Sequence, residues 1–183
     1  MNHGKYVFTQ LFEYLPKYEF DKAVARYQGN YKNKGFTCWT QFLVMSFGQL
    51  TNRESLRDIV NCLSAHPSKL YHLGIKFAVK KSTLAEANET RNWRIFSDFA
   101  QVLLAQAQQL YLDDNFGLDL PNPVYALDAT TIDLCLAIFW WAHFRKTKAA
   151  VKLHTLLDLR GNLPTFIHIS DGKMHDVKIL DEL

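Results

Sequence analysis

The sequence predicts an α+β protein in which a helical first part precedes a group of β-strands. Up to residue 112, apolar residues recur at the three- and four-residue spacing of helices. From residue 124 onward they alternate with other residues, which is the period of strands. Between the two parts lies an acidic segment, residues 113–123, which carries Gly117 and two prolines. That composition is typical of a linker and predicts a domain boundary there.

The first three helices are predicted from apolar faces and from the residues that interrupt them. One helix is expected to end at Pro16 and the next before Gly29. A third follows the polar break at residues 31–35. The apolar faces of the three helices are formed by Val7, Leu11, Phe12 and Leu15, then Phe20, Val24 and Tyr27, then Trp39, Phe42, Leu43 and Phe47.

Two later helices are predicted to begin at capping boxes, in which a threonine hydroxyl and a glutamate three residues later satisfy free backbone N–H groups. Thr51 with Glu54 is the first such pair, and Thr83 with Glu86 is the second. A longer helix is expected from about Asn92. The residues predicted to face inward are Leu56, Ile59, Val60 and Leu63 in the first of these helices, and Phe96, Phe99, Leu103 and Leu110 in the last.

The strand part begins with residues 124–134, where an apolar stretch leads to Asp128 and an extended pattern continues beyond it. Residues 151–157 and 163–169 form two more strands, and the turn residues 158–162 between them predict a hairpin. The apolar run 134–142 is predicted to be buried sheet or core, and Asp176 is predicted to start a helix. Many α/β domains open in this way.

Composition excludes several classes of protein. The chain has 183 residues, 48% of them hydrophobic, which is enough to bury a core. No apolar run approaches the roughly 20 residues that span a bilayer, and the N-terminus lacks a secretory segment. We therefore expect a cytoplasmic protein that does not enter membranes. The three cysteines, Cys38, Cys62 and Cys135, are widely spaced, which predicts buried thiols and no zinc ribbon or disulfide framework.

Charge is unevenly distributed along the chain. The net charge is +3, but residues 1–110 hold 14 lysines and arginines against 8 aspartates and glutamates. A basic first part followed by an acidic second part fits a nucleic-acid-binding module ahead of a metal-using one. Ordinary domains also show such asymmetry, so it does not decide the function by itself.

Asp128 is the candidate catalytic residue. It follows a short apolar strand and is flanked by the hydroxyls of Thr130 and Thr131. A carboxylate in this place can hold a divalent cation for phosphodiester chemistry. The alternative interpretation is an ordinary turn or capping aspartate. His154, which alternates with apolar neighbours, is interpreted as a half-buried histidine with its hydrogen bonds satisfied.

Linked motifs along the chain resemble those of DDE-type insertion-sequence transposases. Residues 125–134 read YALDATTIDL, residues 139–154 read FWWAHFRKTKAAVKLH, and residues 155–164 read TLLDLRGNLP. Residues 170–176 read SDGKMHD, and upstream the segments 81–88 and 91–96 read KSTLAEAN and RNWRIF. The order of these motifs matches that family over nearly the whole chain.

The resemblance implies a domain organisation and an active site. Residues 1–75 correspond to a helical N-terminal domain for DNA binding, residues 76–120 to a helical connector, and residues 121–183 to the start of an RNase H-like catalytic domain. In that family three acidic residues hold two metal ions, Mg²⁺ or Mn²⁺, and Asp128 matches the first. The Asp-Arg-Gly-Tyr motif of the second does not occur in this sequence. We therefore expect a C-terminally truncated chain that is inactive alone, and we interpret Asp176 as a structural residue.

Two groups of basic residues are predicted to contact DNA. Arg145, Lys146, Lys148 and Lys152 surround the second strand region, and a solvated basic loop is the alternative. In the first part, a helix-turn-helix is predicted at residues 39–63, with Arg53 and Arg57 one turn apart on its second helix. Lys80 and Lys81 precede the Thr83 cap, where a helix N-terminus can hold phosphate. Helix pairs and charged loops of these kinds also occur in proteins that bind no nucleic acid.

The function predicted from these observations is that of a DNA transposase fragment. It binds double-stranded DNA at the ends of an insertion sequence and, when complete, cleaves and transfers DNA strands with Mg²⁺ or Mn²⁺. A homodimer on DNA is also expected. The alternatives are a catalytically inactive DNA-binding remnant and a helical interaction protein.

Overall fold

The computed structural model describes residues 6–33, 35–111, 124–134, 143–145, 148–159, 163–175 and 177–179. The chain divides into two compact units, Met1–Leu103 and Leu104–Leu183. Helices make up the first unit and an antiparallel sheet lies in the second, so the predicted α+β class is confirmed. No helix in the described ranges is both long and apolar enough to cross a bilayer.

Among the described residues, seven α-helices precede the sheet. They are α1 (Val7–Glu13), α2 (Lys17–Arg26), α3 (Cys38–Leu50), α4 (Leu56–Ser64), α5 (Pro67–Leu70), α6 (Lys81–Thr90) and α7 (Arg94–Leu110). A 3-10 turn, Tyr71–Leu73, follows α5. Pro16 separates α1 from α2, as predicted, and it is the N-cap residue immediately before Lys17, the first residue of α2.

One core cluster joins α2, α3 and α7 around the ring of Phe20, which is fully buried. Four aromatic rings lie with their centroids 5.1–6.0 Å from that of Phe20, which is the range of favourable ring contacts. These rings belong to Trp39, Phe42, Phe96 and Phe99. At the edge of this Phe20 cluster, Asp98 accepts from Arg26 at 2.6 Å and from the hydroxyl of Tyr27 at 3.1 Å.

A second core cluster joins α3 to α4, α5 and α6 and is named here the Leu43 cluster. Its buried members are Leu43, Val44, Ile59, Leu63, Leu70, Ile75, Val79 and Leu84. Trp39 packs against both clusters, so its side chain is common to the two. Most of the predicted apolar faces of α2, α3 and α4 lie in these clusters and are confirmed.

The predicted inward faces of two helices are partly wrong. Val7 and Leu11 are mainly exposed, whereas Phe8 and Phe12 stack with ring centroids 4.3 Å apart and pack against the Leu43 cluster. The larger rings occupy the inner face of this short helix. In α7, Leu110 is exposed at the end of the helix, and Ile95, which was not predicted, is fully buried.

Neither predicted capping box forms. Thr51 ends α3, and its hydroxyl donates to the carbonyl of Phe47 at 2.7 Å. The N-cap of α4 lies four residues later, where the side chain of Ser55 accepts from the N–H of Asp58 at 3.1 Å. Helix α6 begins two residues before Thr83, after Lys80, which makes no side-chain cap. The long last helix does begin near Asn92, whose side-chain oxygen accepts from the N–H of Arg94 at 3.0 Å.

In the part of the chain that the structure describes, the sheet has four strands: β1 (Tyr125–Leu134), β2 (His143–Arg145), β3 (Lys148–Asp158) and β4 (Leu163–Asp171). Strand β3 lies in the centre, with β1 antiparallel along one edge and β4 antiparallel along the other. The short β2 pairs with the first residues of β3. The β3–β4 hairpin was predicted from the turn residues between the strands, and it is confirmed.

Several predictions fall outside the described residues. These concern the linker at 113–123, most of the apolar run 134–142, and the helix expected from Asp176. Within the described residues near the C-terminus, Ile179 is fully buried.

Candidate functional site

Asp128 lies on β1, on a face of the sheet that strand pairing defines. It is in register with Thr155 of β3, which in turn is opposite Ile167 of β4. Directly opposed residues of antiparallel strands point to the same face. The three side chains therefore form a row across the sheet, with Asp128 exposed at its β1 end.

The surroundings of Asp128 differ from the prediction in two respects. Asp128 is the fourth of ten residues in β1 and does not stand at the end of a strand. Since side chains alternate along a strand, Thr130 shares the face of Asp128, whereas Thr131 points to the other face. One flanking hydroxyl, not two, is thus available on the side of the carboxylate.

The carboxylate of Asp128 is not part of a ready-made metal-binding cluster among the described residues. Among the residues that the structure describes, no three His, Cys, Asp or Glu side chains gather closely enough to hold a metal ion. Its carboxylate can supply one ligand to a divalent cation, and further oxygen ligands are needed to complete a coordination shell.

His154 lies on the opposite face from Asp128 and is fully buried. Its Nε2 is 2.8 Å from the hydroxyl of Ser170, the buried residue of β4 that neighbours it diagonally. The sequence predicted a half-buried histidine with satisfied hydrogen bonds. Its burial is greater than predicted, and its hydrogen bond to Ser170 supports a structural role.

The basic residues of the second unit lie on and next to β2 and β3. Arg145 of β2 is paired in register with Lys148 of β3, and Lys146 lies outside the described residues. Lys152 is opposite Thr131, on the face that does not carry Asp128. The pairing of β2 with β3 therefore brings Arg145 and Lys148 together, whereas Lys152 is separated from Asp128 by the sheet.

Arg53 and Arg57 were predicted to lie one turn apart on the second helix of the α3–α4 pair, and the structure places them differently. Arg57 is exposed on α4, but Arg53 lies in the turn before that helix. The Nε of Arg53 donates to Thr51 at 3.3 Å, and its Nη1 is 3.7 Å from a carboxylate oxygen of Asp58. The two arginines are thus not one turn apart on one helix, and part of the charge of Arg53 is balanced by Asp58.

Lys80 and Lys81 are both exposed at the start of α6. Lys80 also lines a cavity of about 240 Å³ together with Phe36 and Thr83. These two lysines therefore stand next to a helix N-terminus, as predicted, although Thr83 does not cap it.

The sequence matches two family models. Residues 119–183 match the transposase DDE domain, and residues 3–76 match a domain of unknown function, DUF4372. The chain belongs to the DDE-type transposases. No curated protein and no solved structure matches it.

Within this transposase, the two matches assign the candidate residues to different segments. Asp128 and the basic residues of β2 and β3 lie in the DDE segment, while Arg53 and Arg57 lie in the DUF4372 segment. Lys80 and Lys81 lie between the two matched segments.

Sequence reasoning missed one basic residue of the transposase, Arg91. It lies between α6 and α7, is half-buried, and lines a cavity of about 720 Å³ in the helical unit. Burial lowers the pKa of its guanidinium. The excess of basic residues in the first part indicated a cationic surface, but no local motif distinguishes Arg91 from its exposed neighbour Arg94.

Proposed function

We propose that this transposase chain binds DNA at the ends of an insertion sequence through its helical unit and contributes Asp128 as one ligand of a catalytic divalent cation. The observation that carries the proposal is the exposed position of Asp128 on β1, within the segment that matches the transposase DDE domain. DDE domains use divalent metal ions in DNA strand cleavage and transfer.

The order of the strands supports an RNase H-like catalytic domain. The three long strands, β1, β3 and β4, form an antiparallel meander with the second of them in the centre. This is how an RNase H-like sheet begins, and its first strand carries the first acidic residue of the site. Mg²⁺ or Mn²⁺ bound there would stabilise charge on the oxygens of the reacting phosphodiester.

The helical unit supplies the proposed DNA contacts, and residues 1–75 are its proposed DNA-binding domain, connected by residues 76–120. Arg57 is an exposed cation on α4, and Lys80 and Lys81 form a second positive site at the start of α6. Such contacts neutralise phosphates and make affinity depend steeply on salt. A homodimer on DNA, with one chain at each element end, belongs to the same proposal.

The metal role of Asp128 is tested by Mn²⁺, whose unpaired electrons broaden the NMR signals of nearby nuclei. We expect Mn²⁺ to broaden the amide signals of Asp128 and of Thr155, which is paired with it. Asp128→Asn should remove this broadening, whereas the control Asp158→Asn, on the other face of the sheet, should keep it. Broadening that persists in Asp128→Asn would exclude Asp128 as the ligand.

DNA binding is tested by titrating a labelled duplex of the element end at several salt concentrations. We expect the affinity to fall linearly with salt on a logarithmic scale. Asp128→Asn should bind as the wild type does, because the carboxylate is proposed to hold metal and not DNA. Affinity that does not depend on salt would favour the helical interaction protein. Salt-dependent binding with no effect of Mn²⁺ at Asp128 would favour a DNA-binding remnant.

A further inference from the structure

A cavity of about 720 Å³ lies in the helical unit between the loop after α2, helix α6 and the two residues that follow α6, Arg91 and Asn92. Its size is in the range of ligand pockets. The lining is mixed in character, with tyrosine and phenylalanine rings beside amides and charges. The residues that matter for its chemistry are Lys32, Asn33, Phe36, Glu86, Arg91 and Asn92.

Arg91 is held in this cavity by neutral groups. Its Nη1 donates to the side-chain oxygen of Gln41 at 2.8 Å, and its Nη2 donates to the carbonyl of Phe36. Gln41 is itself buried and donates to Asn88 at 2.6 Å, which fixes the position of its oxygen. The guanidinium lies over the ring of Phe36, 5.5 Å from its centroid.

No acid among the described residues balances the charge of Arg91. In the part of the chain that the structure describes, no carboxylate lies within 4.0 Å of the guanidinium nitrogens. Buried or half-buried charges are normally paired, because desolvation without an opposite charge costs free energy. An anion in the cavity would supply that opposite charge.

A second cation, Lys32, stands at the exposed rim of the same cavity. Its backbone has a positive φ of 54°, within a loop that the side chains of Asn30 and Asn33 hold together by hydrogen bonds. Glu86 is the acid on the lining, and it is exposed on α6 without an ion pair to either cation among the described residues. The two cations outnumber it, so the lining as a whole favours an anion.

The smaller cavity that Lys80 lines is adjacent, since Phe36 and Thr83 line both. Three cations, Lys32, Arg91 and Lys80, thus border neighbouring cavities along α6. A series of positive groups along a surface suits a ligand with repeated negative charges, such as a nucleic-acid strand.

We propose that the larger cavity binds a backbone phosphate of DNA, with Arg91 as the inner contact and Lys32 as the outer one. This rests on the proposed function, because it requires that the helical unit binds DNA. A guanidinium has five N–H donors, and Gln41 and Phe36 each accept from one of them. Further donors are then available for the paired hydrogen bonds by which arginine recognises phosphate.

The test compares Lys32→Gln and Arg91→Gln with the wild type in DNA titrations at several salt concentrations. Each variant should bind more weakly, and the slope of log affinity against log salt should become shallower by about 0.9 for each lost phosphate contact. Arg94→Gln is the matched control, because Arg94 is exposed, lies over the ring of Trp93 and does not line the cavity. It should keep the wild-type slope.

The outcomes separate this inference from the proposed function. Lys32 is exposed, so Lys32→Gln tests the site even if Arg91→Gln does not fold. If the wild type binds DNA in a salt-dependent manner but Lys32→Gln keeps its affinity and slope, the cavity does not bind DNA. An equal loss in Arg94→Gln would also overturn the proposal, since the effect would then be one of general charge. A wild type without salt-dependent affinity would overturn the proposed function itself.

A further arm distinguishes DNA from free phosphate as the source of the anion. Thermal unfolding is measured with inorganic phosphate and without DNA. We expect no stabilisation that depends on Lys32. If phosphate stabilises the wild type but not Lys32→Gln, while both bind DNA with the same slope, the ligand is free phosphate and the DNA proposal fails.

Discussion

Cys38 shows how burial sets the chemistry of a single side chain in this transposase. It is fully buried in the Phe20 cluster, and burial raises the pKa of its thiol, an effect that the nearby charge of Arg91 opposes in part. The thiolate is the reactive form, so a raised pKa together with lack of access makes a cysteine inert. Cys62 on α4 is only partly buried.

We therefore expect iodoacetamide at pH 8 to modify Cys62 well before Cys38. Peptide mass mapping of the native protein at timed intervals measures both rates separately. In denaturant the two residues should react at similar rates, which controls for reactivity of the free thiol. Modification of Cys38 as fast as Cys62 in the native protein would contradict the packing described for the Phe20 cluster.

Single residues also differ in how well the sequence alone could point to them. The difference depends on whether their neighbours in the fold are close or distant in sequence. Asp128 could be proposed as a site residue from the sequence because the motif around it is continuous in sequence. Arg91 was missed because its environment comes from Gln41, 50 residues away, and from the carbonyl of Phe36, 55 residues away. Contacts at such separations leave no periodic signal in a single sequence.

At the scale of elements, the crossing of α3 and α4 depends on Gly48. A Cβ built on Gly48 would lie 2.4 Å from Cδ1 and 2.8 Å from Cγ1 of Ile59, a buried residue of α4. Such distances are not compatible with packed carbon atoms. The glycine is therefore required for the close approach of the two helices.

Gly48→Ala should destabilise the protein in spite of the higher helix propensity of alanine. Overpacking costs about 1–3 kcal/mol, and the gain in propensity offsets about 1 kcal/mol of it. Urea unfolding followed by tryptophan fluorescence measures the difference. Adding Ile59→Val, which removes Cδ1, should recover part of the loss, and Gln49→Ala on the exposed side of α3 should have little effect. A Gly48→Ala variant as stable as the wild type would exclude this crossing.

Some features of the helices and strands could be predicted from sequence patterns, and others could not. Helix faces with several buried residues, such as those of α3 and α4, were predicted correctly because the apolar residues that recur at the helical period are also the ones that are buried. The start of α4 was not predicted correctly, because Thr51 and Ser55 are both good N-cap residues and the choice between them depends on where α3 ends. The pairing of β3 with β4 could be predicted because the turn between them is local.

At the scale of the whole molecule, the helical unit is held by two clusters that share Trp39. Trp39 packs against both the Phe20 cluster and the Leu43 cluster, and its ring centroid is 5.2 Å from that of Phe20. A residue common to two cores couples their stabilities. The helical unit should therefore unfold as one cooperative body.

Trp39→Ala is expected to lower the free energy of unfolding by about 3–5 kcal/mol. Hydrogen exchange should show equal losses of protection in α2, which belongs to the Phe20 cluster, and in α4, which belongs to the Leu43 cluster. Trp93→Ala, at an exposed tryptophan, is the control and should change neither. Loss of protection confined to α2 would mean that the two clusters unfold independently.

The pairing of Asp128 with Thr155 has a genetic consequence. Because strand side chains alternate, a shift of β1 by one residue along β3 would move Asp128 to the face that holds His154. Deletion of a single codon between Tyr125 and Asp128 would shift the two parts of the strand by one residue relative to each other. Either the apolar side chains upstream or the carboxylate of Asp128 would then point to the wrong face of the sheet. Such in-frame deletions should remove the Mn²⁺ broadening proposed for Asp128 as completely as Asp128→Asn does, although they leave every acidic residue in the gene.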